Sequence, residues 1–343
     1  MSKKVRIGNV TIGGGEAIAV QSMTNTPTKD AQATLEQIGR LAACGCDIVR
    51  ASVPDSQSAV AFKEICAKSP IPVVADIHFD YKLAIAAIEN GAAKIRINPG
   101  NLGGESKLKP VADCLKSHHI PVRVGVNGGS LDKKYLGMPL PEAMCESALE
   151  YCSMLERHGV QDIVISVKSS DVKAMVECNR LLNKRCDYPL HLGVTEAGLY
   201  TQGLVKSAIG IGALLLDGIG DTIRVSLTDD PVKEVDAAAE ILKAIGKYSK
   251  PYVEIISCPT CARTEINVKE LAEKVREYTM GVNKYLQIAV MGCIVNGIGE
   301  SAHCDIGVAG GKDRSALFKD GKILAMVPNE NLMKELLEEI DKL

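Results

Sequence analysis

Several features are absent from this sequence of 343 residues, and each absence excludes a class of protein. It contains no apolar run of about eighteen residues or more, which a membrane-spanning helix would need. The opening residues, MSKKVRIGNV, lack an apolar segment with a cleavage site, so we expect no signal peptide and a cytoplasmic location. No long block of one charge sign occurs, and 40 basic residues nearly balance 42 acidic ones, which argues against nucleic-acid binding through bulk positive charge.

Cysteine, in contrast, is abundant, with twelve residues in the chain. In a reducing compartment, clustered cysteines indicate metal or redox chemistry, whereas scattered ones indicate core packing rather than a disulfide scaffold. We interpret the scattered members as small buried apolar groups. They are Cys44, Cys46, Cys66, Cys114, Cys145, Cys152, Cys178 and Cys186.

Residues 1–247 repeat one pattern, in which a β-branched apolar run is followed by a polar loop and an amphipathic segment rich in alanine and leucine. The runs that we predict as strands are AIAVQSM, DIVRASV, IPVVADIHF, AKIRINP, IPVRVGV, DIVISVK, LHLGVTE and DTIRVSL. Alternating strands and helices imply a parallel sheet, and eight units of about 30 residues match a (β/α)8 TIM barrel. A doubly wound open sheet is the alternative, but no G-x-G-x-x-G motif follows the first strand.

Residues 251–343, which follow the proline-marked linker at Lys250-Pro251, have a different sequence pattern. YVEIISCPTC, YLQIAVMGCIVNG and CDIGVAGG predict short strands that end in loops rich in glycine and cysteine. NVKELAEKVREYTMG and PNENLMKELLEEIDKL predict helices, the second capped by Asn329 or Asn331. The sequence therefore predicts a second, smaller α/β domain at the C-terminus.

Basic and polar side chains recur at the predicted carboxyl ends of the barrel strands, where barrel active sites lie. The residues that we place there are Arg50, His78, Arg96, Asn98, Arg123, Asn127, Lys168, Glu196, Arg224 and Ser226. The four arginines and the lysine lie inside apolar runs, and burying that much positive charge without a partner would be very costly. A phosphate or diphosphate is the simplest partner, since the planar guanidinium suits it.

Two members of this set have competing interpretations. Glu196 is the one carboxylate that we place among the basic residues, and it either exchanges a proton with the substrate or forms a salt bridge to an arginine. His78 either contacts substrate or is a core histidine capped by Asp76 or Asp80. A metal ion on those two aspartates is disfavoured, because the D-x-H-x-D run has no fixed ligand geometry.

The C-terminal cysteines Cys258, Cys261 and Cys293 form the clustered set. A C-x-x-C pair alone fits zinc, thioredoxin-like redox chemistry or iron–sulfur ligation, but a third cysteine among glycines favours a metal centre, most simply a [4Fe–4S] cluster. The spacing leaves the fourth ligand open between Glu300 and Cys304, with His303 less favoured. Cys304 would complete a site suited to electron transfer or to zinc, whereas Glu300 would leave one iron with an exchangeable ligand.

Several phrases resemble one known family over nearly the whole chain. They are SCPTCART at 257–264, MGCIVNGIGE at 291–300, and the barrel phrases VRASVPD, ADIHFDY, KIRINPGN, RVGVNGGSL, GVTEAG and DTIRVSLT. Together they are similar to the bacterial-type 4-hydroxy-3-methylbut-2-enyl diphosphate synthases, the IspG/GcpE family of the methylerythritol phosphate route to isoprenoids.

This resemblance implies a specific chemistry. The substrate would be 2-C-methyl-D-erythritol 2,4-cyclodiphosphate, held by the arginine-rich mouth, and two electrons from reduced flavodoxin or ferredoxin would open its ring and remove a hydroxyl group. The resemblance also implies a [4Fe–4S] cluster on Cys258, Cys261, Cys293 and Glu300, with Glu196 handling a proton. Family members are homodimers in which the cluster domain of one subunit closes over the barrel of the other.

Two other classes remain as alternatives from the residues alone. One is a barrel hydrolase or phosphate-binding protein whose tail is stapled by zinc on Cys258, Cys261, Cys293 and Cys304. The other is a pterin-type transferase, because an anion-binding barrel does not by itself specify a reaction.

Overall fold

The computed structural model describes residues 1–98, 104–135, 137–300 and 302–343, without the side chains of residues 130, 133, 296, 298 and 300. The chain divides into two compact units, Met1–Ser249 and Lys250–Leu343, and each has its own hydrophobic core. The predicted fold class, an α/β barrel followed by a smaller α/β domain, is confirmed.

The first unit begins with a short antiparallel hairpin and continues as alternating strands and helices. Its strands are β1 (Val5–Ile7), β2 (Val10–Ile12), β3 (Ala19–Met23), β4 (Ile48–Ser52), β5 (Val73–Ile77), β6 (Lys94–Ile97), β7 (Val122–Asn127), β8 (Ile163–Lys168), β9 (His191–Leu192) and β10 (Thr222–Ile223). Its helices are α1 (Ala31–Ala43), α2 (Ser56–Lys68), α3 (Tyr81–Glu89), α4 (Glu105–His118), α5 (Leu140–Arg157), α6 (Val172–Arg185), α7 (Tyr200–Leu216) and α8 (Pro231–Ala244). Two short 3-10 turns, Gly128–Ser130 and Lys133–Tyr135, lie in the long connection between β7 and α5.

The strands from β3 to β10 form one parallel sheet that closes on itself. Neighbours in the chain pair in sequence from β3 to β8, and β10 pairs with both β3 and β9. A parallel bridge between Ile165 of β8 and Leu190, just before β9, joins the two remaining edges. Each of the eight apolar runs predicted as a strand therefore contributes one strand of a closed (β/α)8 barrel.

Aspartates fix the starts of several barrel helices. An aspartate at the N-cap accepts a hydrogen bond from a backbone N–H in the first turn, which would otherwise have no partner. The capping residues are Asp30, Asp55, Asp80, Asp171 and Asp230. Asp80 therefore caps α3, and its carboxylate accepts a hydrogen bond from Lys82 N–H at 2.9 Å.

The hairpin formed by β1 and β2 closes the N-terminal end of the barrel, a feature that the sequence did not predict. Its side chains Val5, Ile7 and Ile12 are fully buried and pack in one cluster with strand residues. The strand residues in this cluster are Ala19, Ile48, Val74 and Val164. We call this cluster the apolar seal, because its apolar side chains fill that end of the barrel.

The second unit is a five-stranded sheet flanked by helices. Its elements are β11 (Val253–Ser257), α9 (Val268–Tyr278), β12 (Leu286–Met291), α10 (Ile294–Glu300), β13 (Ile306–Ala309), β14 (Arg314–Lys319), β15 (Lys322–Pro328), a 3-10 turn (Asn329–Asn331) and α11 (Leu332–Ile340). The strands β11, β12 and β13 are parallel, and β14 and β15 add an antiparallel hairpin at one edge. Leucines and valines of α9 and α11 pack on one face of this sheet.

Three details of this unit differ from the sequence-based expectation. The stretch after Cys293, expected as a loop, forms the helix α10. The hairpin of β14 and β15 was not predicted. Asn331 does occupy the N-cap position of α11, but its side chain makes no capping bond, and Asn329 instead accepts a hydrogen bond from Ser315 Oγ at 2.7 Å.

Among the described residues, no helix is both long enough and apolar enough to cross a membrane.

Candidate functional site

The alternation of side chains along each strand sends the predicted arginines into the barrel. Along β6, Ile95 and Ile97 belong to the large cluster between strands and helices, so Arg96 between them faces the interior. The same holds for three other arginines, each of which lies between two members of that cluster. These are Arg50, Arg123 and Arg224.

Asp76 is the centre of the best-connected ion pairs in the barrel. Its carboxylate is 3% exposed and accepts a hydrogen bond from Arg96 Nη1 at 3.1 Å. Arg50 Nε lies 3.8 Å from it and His78 Nε2 lies 3.3 Å from it. Burial favours the neutral acid, but the charge of Arg50 and the hydrogen bond from His78 outweigh it and hold the pKa of Asp76 far below its usual value. His78 itself is half exposed.

Arg224 has a second buried carboxylate as its partner. Its Nη2 lies 3.2 Å from Oε1 of Glu234, which is 4% exposed and also accepts a hydrogen bond from Ser22 Oγ at 2.9 Å. Glu234 lies in the first turn of α8, where the sequence reads as an ordinary charged surface. The expectation that Glu196 is the only carboxylate among the basic residues is therefore wrong, because Asp76 and Glu234 lie there too.

Arg123 and Lys168 have fewer partners. Arg123 Nη1 donates to Ser166 Oγ at 2.7 Å, while its Nε and Nη2 are buried without a hydrogen-bond partner among the described residues. Lys168 ends β8 and is 7% exposed. Burial, and then the charges of Arg123 and Arg224, lower the pKa of its ammonium well below the usual value. Arg123 therefore keeps donor groups that the described residues do not use.

Two glycines make room for these side chains. A Cβ on Gly193 would lie 2.7 Å from Lys168 Nζ and 2.5 Å from the carbonyl oxygen of Arg224. A Cβ on Gly125 would lie 2.7 Å from Arg96 Nε. Both glycines point into the barrel at places that only a residue without a side chain can occupy.

The remaining predicted residues lie around the same mouth. Asn98 follows β6 and is buried, Asn127 ends β7 and is half-buried, and Ser226 follows β10 and is half-buried. Glu196 is exposed and forms no ion pair with any arginine that the structure describes. Its φ of 52° places it in the left-handed region, which a residue other than glycine rarely adopts and which often marks a functional position.

The three clustered cysteines line one cavity in the second unit. Cys258 follows β11, Cys293 follows β12, and Cys261 lies between β11 and α9. The cavity has a volume of about 220 Å³, and its lining includes all three. The two cysteine loops are tied together, since Gly292 N–H donates to Cys258 Sγ at 3.1 Å and Glu265 N–H donates to the Gly292 carbonyl at 2.8 Å. A backbone N–H aimed at a cysteine sulfur is typical of iron–sulfur sites.

The candidates for a fourth ligand lie in different places. Cys304 is 2% exposed and packs with Phe318 and Met291 in a hydrophobic cluster, and the described lining of the cavity does not include it. Glu300 ends α10, and its side chain lies outside the described part of the structure. His303 lies in the connection from α10 to β13 and is exposed.

The cavity can be tested against a [4Fe–4S] cluster from its own residues. Among the described residues, no three histidine, cysteine, aspartate or glutamate side chains are close enough to share one metal ion. A cluster takes one cysteine per iron, so its ligands surround a larger volume than those of a single ion. Three cysteines around one cavity, with a glycine N–H on one sulfur, fit this requirement.

Family models match both units of the chain. The GcpE TIM-barrel domain matches residues 2–239, and the GcpE protein C-terminal domain matches residues 254–342. The chain belongs to the GcpE family. The resemblance that the sequence motifs suggested is thereby confirmed.

Curated relatives match this GcpE chain over its whole length. A protein of Caldanaerobacter subterraneus subsp. tengcongensis is 54% identical, covering 100% of this chain and 97% of its own. A protein of Clostridium perfringens is 52% identical, covering 99% of this chain and 98% of its own. Both are named 4-hydroxy-3-methylbut-2-en-1-yl diphosphate synthase (flavodoxin).

Solved structures of low sequence identity share the barrel. A truncated 3-deoxy-D-arabino-heptulosonate 7-phosphate synthase of Thermotoga maritima has a TM-score of 0.53 at 15% identity, covering 72% of this chain and 94% of its own. A dihydropteroate synthase of Yersinia pestis has a TM-score of 0.51 at 12% identity, covering 72% of this chain and 100% of its own. At these identities the likeness shows the fold alone.

Sequence reasoning missed several residues of the barrel interior. Lys94 shares the inward face of β6 with Arg96, so the two-residue period in KIRIN could have found it. Gly125 shares the inward face of β7 with Arg123 in the same way. Asp76 lies between Ala75 and Ile77 of the large cluster, so the same period could have found it, and its contact with His78 was one of the alternatives stated. Glu234 carried no local signal, because its partners Arg224 and Ser22 lie elsewhere in the chain.

Proposed function

We propose that this chain is a 4-hydroxy-3-methylbut-2-en-1-yl diphosphate synthase. It converts 2-C-methyl-D-erythritol 2,4-cyclodiphosphate to 4-hydroxy-3-methylbut-2-enyl diphosphate by reductive ring-opening and dehydroxylation in the methylerythritol phosphate isoprenoid pathway, with electrons from reduced flavodoxin or ferredoxin. The names of relatives with about half their residues identical support this assignment. The observation that carries it in the structure is the excess of positive charge inside the barrel.

The barrel interior contains more basic side chains than buried carboxylates. Arg50, Arg96, Arg123, Lys168 and Arg224 converge in the barrel, and their charges act on one another. Only two buried carboxylates, Asp76 and Glu234, oppose them among the described residues. An uncompensated buried charge is strongly unfavourable, so this interior is built for an anion that carries more than one negative charge. A diphosphate supplies such charge and matches the planar guanidinium groups.

Most residues around the mouth bind the substrate, and one of them transfers a proton. Arg123 has two donor groups without a partner among the described residues, and Lys168 is buried at the end of β8 close to it, so both bind the diphosphate. Asp76 holds Arg96 and His78 in place for it. Asn98, Asn127 and Ser226 add neutral hydrogen bonds. Glu196, which is exposed and unpaired with the arginines, exchanges the proton that ring-opening and loss of water require.

The cavity of the second unit holds the redox group. Cys258, Cys261, Cys293 and Glu300 would bind a [4Fe–4S] cluster, which supplies electrons to the substrate one at a time. The burial of Cys304 in the hydrophobic cluster supports Glu300 as the fourth ligand. Replacing Glu300 by alanine should leave a protein that still assembles a cluster but loses most turnover, and full turnover would reject this assignment.

We also propose that two copies associate, with the second unit of one copy covering the barrel mouth of the other. Apolar side chains are exposed in loops that follow strand ends of the barrel. They are Phe79, Met138 and Leu199. Ile294 and Val295, directly after Cys293, are exposed as well. Apolar residues placed around two sites that must meet are typical of an interface. The free thiols and the cluster fit a reducing, cytoplasmic location.

Mixing two inactive variants tests this arrangement. Arg123→Met weakens substrate binding at a barrel mouth and Cys293→Ser disables a cluster site, so at a substrate concentration near the wild-type Kd neither variant alone should show appreciable turnover. A mixed dimer with shared sites contains one intact mouth facing one intact cluster. After subunit exchange, random assortment should restore about a quarter of wild-type activity. Persistent inactivity in mixtures shown to contain mixed dimers would reject the shared site.

Turnover tests the activity itself. The full-length protein, reconstituted with iron and sulfide without oxygen, should convert the cyclodiphosphate to the linear product when reduced flavodoxin is supplied. A colourless protein with bound zinc, or a cluster-loaded protein that binds the cyclodiphosphate and yields no product, would reject the proposal.

A further inference from the structure

Beneath the arginines, the barrel contains a layer of polar side chains that the proposed function does not use. We call Gln21, Lys94, His191 and Thr222 the polar floor. Each is at most 1% exposed. Lys94, His191 and Thr222 are the first residues of β6, β9 and β10, and the interior of a barrel at this level is ordinarily filled by branched apolar residues.

The strand register places the polar floor beside the apolar seal, at the amino-terminal end of the barrel. Lys94 is paired with Val74, and Thr222 is paired with Ala19. Both partners belong to the apolar seal. Arg96 and Arg224 follow Lys94 and Thr222 by two residues, so the arginines lie on the side of the polar floor that faces the mouth.

The polar floor lacks hydrogen-bond partners among the described residues. Lys94 Nζ has no hydrogen-bond partner there. The two ring nitrogens of His191 have none, and the side-chain polar atoms of Gln21 and Thr222 have none either. Each of these atoms has less than 1 Å² of accessible surface, so bulk water does not reach them in this state. A full charge on Lys94 would have no hydrogen bond to stabilise it.

The charged groups around Lys94 make the charged form still less favourable. Arg123 of β7 and Arg50 of β4 both repel a positive charge there, and His191 of β9 faces the same interior. The carboxylates of the mouth are engaged elsewhere, Asp76 by Arg96 and Glu234 by Arg224. Burial, and then these two arginines, lower the pKa of the Lys94 ammonium well below its usual value.

We propose that Lys94 is a proton-uptake site coupled to diphosphate binding: it is an uncharged amine in the free barrel and becomes an ammonium when a diphosphate binds in the mouth above it. The proton comes from solvent through the mouth and bonds to the lone pair of Nζ. The diphosphate supplies the negative charge that Lys94 lacks in the free protein, because it offsets the repulsion from Arg123 and Arg50. This inference rests on the proposed function, since it takes a diphosphate as the ligand.

Such a site also suits the product. Opening a cyclic diphosphate at one phosphate leaves a terminal phosphate with one more ionisable oxygen, so the product carries more negative charge than the substrate. A lysine that gains a charge inside the barrel therefore holds the anion through the reaction. A permanently charged residue at the same place would instead destabilise the free protein.

Calorimetric titration of the full-length protein with the cyclodiphosphate, without reductant, tests the proposal. Heats of binding are compared in two buffers of different ionisation enthalpy at slightly alkaline pH. The ligand has no group that titrates in this range, so protons taken up belong to the protein. The wild type should take up protons on binding, and Lys94→Met should take up about one proton fewer per bound molecule. Lys173→Met, at an exposed position of α6, is the control and should retain it.

The outcomes separate this inference from the proposed function. Binding without proton uptake in the wild type, or equal uptake by Lys94→Met, overturns the role of Lys94 and leaves the diphosphate site intact. Absence of binding in the wild type overturns both. If Lys94→Met fails to fold, carbon NMR of lysine Cε in the wild type tests whether a buried lysine gains a proton on ligand binding. One lysine signal should report an uncharged amine in the free protein and a charged one with ligand, and a spectrum in which every lysine stays charged refutes the proposal.

Discussion

Arg96 Nη1 lies 3.1 Å from Oδ1 of Asp76, and both side chains are almost completely buried inside the barrel. The same carboxylate also faces Arg50 and His78. One aspartate thus holds three groups that we assign to substrate binding. The positions of the arginines are therefore set before any ligand arrives, which reduces the ordering that binding would otherwise require.

Replacing Asp76 by asparagine should lower the free energy of unfolding by about 3–5 kcal/mol, because it leaves buried arginines without their counter-charge. Urea denaturation measures this change. The depressed pKa of Asp76 gives the pH dependence: its contribution is present above the unfolded-state pKa of about 4 and is lost as the pH falls below that value. The difference in the free energy of unfolding between the wild type and Asp76→Asn should therefore become smaller in acid.

The exposed Asp113, which pairs with Lys109 and Lys116 on α4, is the matched control for this experiment. Asp113→Asn should change stability little, since exposed pairs contribute little. The assigned ion pairs would be contradicted if the difference in the free energy of unfolding between the wild type and Asp76→Asn stayed constant down to strongly acidic pH.

Adding one methyl group at Gly193 should damage the mouth. The new Cβ would meet Lys168 Nζ at 2.7 Å and the backbone oxygen of Arg224 at 2.5 Å, so Lys168 must move and the strands must shift. We expect Gly193→Ala to cost about 1–3 kcal/mol of stability and to weaken binding of the cyclodiphosphate. Gly212→Ala is the control, because a Cβ there meets nothing within 4 Å in the helix α7. Equal affinities of the two variants would contradict the role of Gly193.

Removing the guanidinium of Arg123 should separate substrate binding from cluster assembly. Arg123→Met loses donors that have no other buried partner, so affinity for the cyclodiphosphate should fall by about 2–4 kcal/mol, or roughly 30- to 1000-fold. The visible absorption of the cluster should be unchanged. Arg185→Met, on the outside of the barrel at α6, should leave affinity intact, and a similar loss there would point to a nonspecific charge effect.

The cysteines of the second unit should divide sharply into two groups. Cys293→Ser removes one of the three thiols that line the cavity and that we propose as cluster ligands, so the reconstituted protein should lose the broad visible absorption of an iron–sulfur cluster. Cys304→Ser changes a residue packed against Phe318 and should retain both absorption and turnover, with some loss of stability. Loss of the cluster in Cys304→Ser would favour the all-cysteine site instead.

The parts of the fold that follow a local period could be predicted from the sequence. Each barrel strand is an apolar run whose neighbours are helices, and the positions of Arg50, Arg96, Arg123 and Arg224 follow from these runs. The closely spaced Cys258 and Cys261 were also evident, since a short spacing brings them together in any fold. Such features require only residues that are near in the chain.

Features that depend on distant partners could not be predicted in this way. The two glycines in IVNGIGE favour a loop, yet α10 forms there because Gly297 allows the helix to pack against Met291 and Ala309, where a Cβ would come within 3 Å. Glu234 reads as a surface residue of α8 until the barrel brings Arg224 and Ser22 to it. The apolar seal likewise needs residues from across the first unit.

The claim that the diphosphate mouth and the cluster serve one reaction is tested most directly by the electron paramagnetic resonance spectrum of the reduced cluster during titration with the cyclodiphosphate. The wild-type spectrum should change in proportion to the ligand bound, and Arg123→Met should require far more ligand for the same change. A spectrum that stays the same while calorimetry shows the wild-type mouth fully occupied would contradict the claim.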